Sequence, residues 1–238
     1  MNERRDGGAR DPDARAHLAL ALDVGNLRDA IDMATRLQPW FGIAKVGMEL
    51  YAEAGPAAFE VLQDKGFRVF ADVKLYDIPN TLRRSARVFG RHGVEFLNFP
   101  AAVGLDSLCA GVEGFKEGAH DAGHAVAIAL GVTVLTSDPD TSALASRMQV
   151  ARDAGCDGVV CAGTDVAQAR ELGLQTMVPG IRPAGVDANE QARVDTPGDA
   201  IARGADWLVI GRAVTAATDP ERAAAAIVDE VAGALSSR

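Results

Sequence analysis

The chain has 238 residues, of which 48% are hydrophobic, and carries a formal net charge of -9 with a pI near 4.9. That is enough apolar material for one large core, while the acidic balance excludes a general nucleic-acid binder, which needs a basic face. No apolar run approaches the roughly 20 residues of a membrane span, and the sparse cysteines Cys109, Cys156 and Cys161, without a CxxC spacing, predict reduced thiols and a cytoplasmic protein.

Residues 1–15 are rich in Arg, Asp and Gly and lack the apolar stretch of a signal peptide, so they read as a disordered tail, with a single domain over 16–238. From there, short β-rich runs alternate with Ala-rich amphipathic stretches. Candidate strands are 18–24, 43–47, 69–74, 95–99, 126–135, 158–161, 176–179 and 207–211. Asn26 is placed to cap a helix over 26–37, Gly66 to end one over 55–65, and a last helix over 221–235 follows Asp219-Pro220. Strand–helix alternation implies a parallel sheet with right-handed crossovers. Eight such units in this length predict an α/β fold closed as a (β/α)8 TIM barrel. The alternative, an open doubly wound sheet, lacks its usual glycine-rich nucleotide signatures here. The longest non-periodic segment, 180–199, falls between the seventh and eighth strands, where a long loop reads either as a functional lid or as a wrongly assigned element.

The strand ends carry the chemistry. Asp72-Val73-Lys74-Leu75-Tyr76-Asp77 puts a lysine between two carboxylates at the end of an apolar run. Alternation along a strand sends Asp72 and Lys74 to one side, and a neighbouring carboxylate keeps the ammonium charged. Pro79 stops the strand, so Asp77 is expected on the loop. Asp23 ends the first strand and Lys45 lies on the second. Two Lys and two Asp from successive strands would converge on the C-terminal mouth, where barrel active sites lie. A surface ion pair would use the same residue types, but four charges at an apolar mouth are costly unless paired and point to a site.

The second half supplies an anion pocket. Pro179-Gly180-Ile181-Arg182-Pro183 follows the seventh strand and Ile210-Gly211-Arg212-Ala213 the eighth. Glycine lets backbone N–H groups approach an anion, arginine holds it bidentately, and these two loops form the frequent phosphate pocket of such barrels. His120 and His124 are spaced i, i+4, but Gly118 and Gly123 are expected to interrupt any helix there, so no metal site is predicted. Asp229-Glu230 reads as solvated helix surface.

The segment Phe70-Ala71-Asp72-Val73-Lys74-Leu75-Tyr76-Asp77-Ile78-Pro79-Asn80-Thr81 strongly resembles the signature of orotidine 5′-phosphate decarboxylases. Supporting matches, in the family's order over about residues 17–235, are Leu20-Ala21-Leu22-Asp23, Ala44-Lys45-Val46-Gly47, Val132-Thr133-Val134-Leu135-Thr136-Ser137, the Pro179 and Ile210 segments, and Gln191. The Asp-x-Lys-x-x-Asp core is shared with related sugar-phosphate enzymes, whereas its continuation as Ile-Pro-Asn-Thr points to the orotidylate branch. The resemblance implies conversion of orotidine 5′-phosphate to uridine 5′-phosphate and CO2 in pyrimidine biosynthesis, without a cofactor or metal, acting on a small-molecule nucleotide. It implies Lys74 as proton donor to C6 of the pyrimidine, with Asp23, Lys45 and Asp72 completing the charged array. Asp77 and Thr81 would reach into the partner subunit's site of a homodimer with shared active sites. Thr136, alone or with Ser137, would read the pyrimidine edge. Gln191, Gly211 and Arg212 would hold the phosphate, with Arg182 close by. One departure stands out: after the fourth strand the family usually shows a His, and here Asn98-Phe99-Pro100 puts Pro100 in its place. The rivals are a superfamily sugar-phosphate decarboxylase or synthase, such as a 3-keto-gulonate 6-phosphate decarboxylase or hexulose phosphate synthase, and a non-catalytic nucleotide-binding barrel.

Overall fold

A computed structural model describes residues 12–182 and 195–237. Its strands are β1 (Leu18–Ala21), β2 (Ile43–Gly47), β3 (Arg68–Asp72), β4 (Phe96–Pro100), β5 (Ile128–Val132), β6 (Gly158–Val160), β7 (Gln175–Val178) and β8 (Trp207–Ile210). All pair in parallel with their chain neighbours, and β8 returns to β1, which closes an eight-stranded barrel. The expected (β/α)8 TIM barrel is thus the observed fold. The helices are α1 (Pro12–Ala16), α2 (Leu27–Leu37), α3 (Met48–Ala54), α4 (Ala57–Asp64), α5 (Pro79–Arg91), α6 (Leu105–Asp121), α7 (Leu144–Asp153), α8 (Val166–Glu171), α9 (Pro197–Ala202), α10 (Arg212–Thr215) and α11 (Pro220–Leu235).

Alternation along each strand divides the apolar residues between two cores. Outward-facing residues such as Leu20, Ala44, Val69 and Leu97 pack under the helices. Inward-facing Ile43, Phe96, Met177 and Trp207 fill the barrel, with Phe96 edge-on to Phe70 (6.3 Å) and Trp207 (4.9 Å). Bulk therefore plugs the N-terminal half of the barrel. Toward the other end, small Ala21, in register with Lys45, leaves room for longer polar side chains.

Several local expectations are corrected. The tail does not extend to Arg15: α1 begins at Pro12, Ala14 is fully buried, and Arg15 Nε donates to the Phe41 carbonyl (3.0 Å). The helix expected over 55–65 is preceded by α3 and begins after Pro56, because Gly55 turns the chain at φ 57°. Gly118 does not interrupt a helix: α6 runs through it, since a Cβ there would collide with the Arg87 carbonyl of α5 and its absence lets the two helices close. Gly123 does lie beyond the helix end, at φ 80°. Glu230 is not merely solvated; its Oε1 accepts from Gly198 N (2.8 Å) at the start of α9. The Asn26 cap is as expected, with its side chain accepting from Asp29 N (2.9 Å).

Candidate active site

The ends of β1, β2 and β3 bring Asp23, Lys45, Asp72 and Lys74 into one array. The register pairs Ala21 with Lys45 and Lys45 with Phe70, and then Gly47 with Asp72. Lys45 is only 6% exposed, and its Nζ donates to Asp23 Oδ1 (2.8 Å) and lies 3.3 Å from Asp72 Oδ2. Lys74 Nζ donates to the other oxygen, Asp72 Oδ1 (2.5 Å). Asp72 is thus shared by two ammonium groups. Burial alone would push its carboxyl up, but the charges of Lys45 and Lys74, with hydrogen bonds from Lys74 and Asn98, hold it below the usual carboxylate range. Burial likewise works to lower Lys45, and the facing Asp72 and Asp23 carboxylates outweigh it and raise the ammonium above its ordinary value. Both groups therefore stay ionised at neutral pH.

Two local devices make the array possible. At Gly47 a Cβ would stand 2.6 Å from Asp23 Oδ1 and 3.3 Å from Lys45 Nζ, so only glycine leaves space for that pair. At Lys74 the strand has already ended. The expectation that Lys74 belongs to the third strand is corrected: β3 stops at Asp72, and Lys74 takes the left-handed conformation, φ 50°, alone among the described non-glycine residues. Such a backbone costs on the order of 1–3 kcal/mol for a side-chain-bearing residue. It is held by Asn98 of β4, whose Oδ1 accepts from Lys74 N (2.8 Å) and whose carbonyl accepts from Leu75 N (3.2 Å). Sequence reasoning placed Asn98 on its strand but missed this contact. The available signal was an amide set inside the apolar run Phe96-Leu97-Asn98-Phe99 at a strand end.

A cavity of about 330 Å³ opens above the array. Lys45, Asp72 and Lys74 line it on one side, and Thr136, Ser137, Arg182, Gly211 and Arg212 on the other, so the two halves foreseen from sequence meet in one space. Arg182 is buried, with its backbone N–H donating to the Asp195 carbonyl (3.0 Å). Gly180 turns the chain before it at φ 78°. Gly211 immediately precedes α10, and Arg212 opens it. Gln191 and most of the proposed lid lie outside the described residues. Asp77 and Thr81 do not line the cavity. Both are exposed beside the mouth, Asp77 in the loop as expected, with its Oδ1 accepting from Ile78 N (2.7 Å), and Thr81 in the first turn of α5.

No group of three or more His, Cys, Asp or Glu able to hold a metal occurs among the described residues. His120 lies on α6 and His124 beyond it. Cys109, Cys156 and Cys161 form no disulfide, and burial, followed by the charge of Asp157, pushes the Cys156 thiol up to about 12, which keeps it protonated and unreactive. The described residues include no helix long and apolar enough to cross a membrane.

The chain as a whole has close parallels. A family model described as Orotidine 5′-phosphate decarboxylase / HUMPS family matches residues 16–227. An orotidine 5′-phosphate decarboxylase of Moorella thermoacetica is 40% identical over 92% of this chain and 93% of its own, and that of Nitratidesulfovibrio vulgaris is 41% identical over 91% and 98%. The crystal structure of orotidine 5′-phosphate decarboxylase from Lactobacillus acidophilus superposes with a TM-score of 0.77 at 31% identity, covering 90% of this chain and 98% of that one. Fold and sequence agree, and the chain belongs to the orotidine 5′-phosphate decarboxylase / HUMPS family.

Proposed function

We infer that this protein decarboxylates orotidine 5′-phosphate to uridine 5′-phosphate and CO2, a step of pyrimidine biosynthesis, without a resident cofactor and with Lys74 as proton donor. The observation that carries the reading is the Lys45–Asp72–Lys74 array at the floor of a cavity whose far wall bears Arg182, Gly211 and Arg212. A nucleotide would set its phosphate against the arginines and glycine, with Gln191 in support, and its base edge near Thr136 and Ser137. Its C6 carboxylate would then reach the array.

When the C6–carboxylate bond breaks, its electron pair stays on C6. The pyrimidine offers that pair no easy resonance outlet, so the barrier must fall through electrostatics and positioning, which in enzymes together supply about 8–23 kcal/mol. The Lys74 ammonium favours the growing charge and then transfers a proton from Nζ to C6. Water afterwards restores the ammonium. Asp72, kept ionised by its neighbours, sets negative charge beside the substrate carboxylate in the ground state, and departure of neutral CO2 relieves it. Contacts to the distant phosphate contribute by fixing the base at the array.

The reading includes a homodimer in which Asp77 and Thr81 complete the partner's site. The exposed apolar side chains Met48, Tyr76, Ile78 and Leu105 support it, because all follow the adjacent strands β2, β3 and β4 at the same end of the barrel as the array. Location in the cytoplasm fits a thiol set without disulfides.

The test is turnover of orotidine 5′-phosphate by purified protein treated with a chelator, with uridine 5′-phosphate and CO2 both quantified. Wild type is expected to be active. Lys74→Ala is expected to lose at least about a thousandfold in kcat, beyond the 10²–10⁴ range typical of lost proton transfer alone only if charge stabilisation goes with it, while keeping its fold by circular dichroism. A Lys74→Ala variant that retains a tenth of wild-type turnover would refute the assignment.

A further inference from the structure

Asn98 makes three contacts that no strand ladder supplies. The β3–β4 pairing covers only Phe70 with Phe96 and Ala71 with Leu97. Beyond it, Asn98 Nδ2 donates to Asp72 Oδ1 (2.7 Å), its Oδ1 accepts from Lys74 N (2.8 Å), and its carbonyl accepts from Leu75 N (3.2 Å). The partners set the orientation of the amide, since a backbone N–H only donates and an ionised carboxylate only accepts. Rotating it by half a turn would oppose like to like at both ends. The side chain is fully buried, so no water competes for these bonds.

We propose that Asn98 is a positioning residue for the reaction: one amide fixes both the left-handed Lys74 backbone and the Asp72 carboxylate, so that ammonium and carboxylate hold one geometry before substrate enters. The proposal rests on the reading of Lys74 as proton donor. A merely structural amide would tie β4 to the following loop and would leave the chemistry of the array untouched. The contact to Asp72 Oδ1 separates the two roles, because that same oxygen accepts from Lys74 Nζ. The charged groups that face Asp72 are Lys45 from β2 and Lys74 from the loop after β3, with Asp23 behind Lys45.

The experiment compares kcat, KM and their pH profiles in wild type, Asn98→Ala and Asn98→Asp, together with calorimetric affinity for uridine 5′-phosphate and the thermal midpoint. In Asn98→Ala, kcat is expected to fall at least about tenfold, while KM and nucleotide affinity stay within about threefold, because the phosphate end of the cavity is untouched. The acid limb of kcat should move to higher pH, since Asp72 without its N–H donor is more easily protonated. Asn98→Asp keeps side-chain volume and the acceptor for Lys74 N but sets a second carboxyl against Asp72. Its kcat relative to wild type should be lowest at neutral pH and recover toward acid pH, where that carboxyl regains a proton to donate. A folded Asn98→Ala with kcat within about threefold of wild type and an unmoved acid limb would overturn the proposal, as would equal losses in kcat and nucleotide affinity. If Asn98→Ala does not fold, a flat activity ratio for Asn98→Asp across pH overturns it. Inactive wild type would instead remove the decarboxylase reading, and this proposal with it. Active wild type, inactive Lys74→Ala and unaffected Asn98 variants would remove this proposal alone.

Discussion

Lys45 is buried yet charged because two carboxylates face it, and the approach of one of them depends on a side chain that is missing. Gly47 stands in register with Asp72, and a Cβ at Gly47 would press on Asp23 Oδ1 at 2.6 Å and on Lys45 Nζ at 3.3 Å. Gly47 has ordinary negative φ, −81°, so alanine fits its backbone and would act through this contact alone. Asp23 can yield, since its side chain is 60% exposed. Gly47→Ala is therefore expected to leave the thermal midpoint within about 3 °C, equivalent to roughly 1 kcal/mol in a chain of this size. It should lower kcat/KM for orotidine 5′-phosphate by about ten- to a hundredfold, because the displaced Asp23 releases Lys45 from its fixed place. Steady-state kinetics beside a melting curve checks this, and unchanged kcat/KM would show that the Asp23–Lys45 spacing is not critical. The charges of Asp72 and Lys45 follow from pairing, not from exposure: Asp72 also holds Lys74 and Lys45 also holds Asp23, so removing one of the two leaves the other buried with a single counter-charge.

At the level of elements, the loop that carries Asp77 is anchored by α5, and α5 is seated on α6 by glycines. A Cβ at Gly90 of α5, or at Gly114 or Gly118 of α6, would run into the backbone of the opposite helix. Charged pairs flank this seam, among them Arg83 with Glu113 (2.6 Å) and Glu117, and Arg87 with Asp121 (2.5 Å). These are exposed pairs of the kind worth at most about 1 kcal/mol each, so close approach rather than charge sets the helix spacing. Gly118→Ala tests this cleanly, because helix propensity alone favours alanine by about 0.8–1.0 kcal/mol. The expected outcome is nevertheless a net loss of about 1–3 kcal/mol, the usual cost of overpacking, seen as a lower midpoint in urea with an unchanged slope. A stabilised variant would mean that the seam is loose. Because α5 starts at Pro79, two residues after Asp77, the same substitution is also expected to reduce turnover by more than it reduces nucleotide affinity.

Across the whole molecule the two ends of the barrel use charge differently. At the N-terminal end several charges serve the scaffold: Arg68 pairs with Glu95 (2.5 Å) and lies over the Phe96 ring, Asp157 accepts from Ala129 N (2.8 Å) and Lys116 (2.8 Å), and Asp206 accepts from Thr176 N (2.8 Å). At the C-terminal end Asp23, Lys45, Asp72, Lys74, Arg182 and Arg212 line a cavity, as the architecture leads one to expect. The proposed dimer joins that end to a second copy. In a two-fold interface each chain donates the same loop to the other, giving two equivalent shared sites. Mixing inactive Lys74→Ala with inactive Asp77→Ala under exchange conditions then leaves one site of each mixed dimer with both lesions and the other with neither. About half of the sites in mixed dimers should regain activity. Exchange confirmed by mass with no recovery would place Asp77 in its own barrel or outside the reaction.

The order of strands and helices, the cap at Asn26 and the charged motif around Lys74 were legible in the chain itself, because periodicity, capping and turn chemistry are local. Eight strand–helix units in this length, without the glycine-rich signatures of an open doubly wound sheet, favoured the closed barrel, and with it the convergence of Asp23, Lys45, Asp72 and Lys74 at one mouth. What required the tertiary structure was every feature that depends on atoms distant in sequence approaching closely. Gly118 reads as a helix breaker until α5 is seen against it, and Glu230 reads as solvated until α9 meets it. Lys74 reads as a strand residue, although its left-handed backbone is held from a different strand by Asn98, 24 positions away. A pattern in sequence records which face a side chain takes. Only packing decides how near two backbones come, and here that nearness sets both the helix seam and the geometry of Lys74.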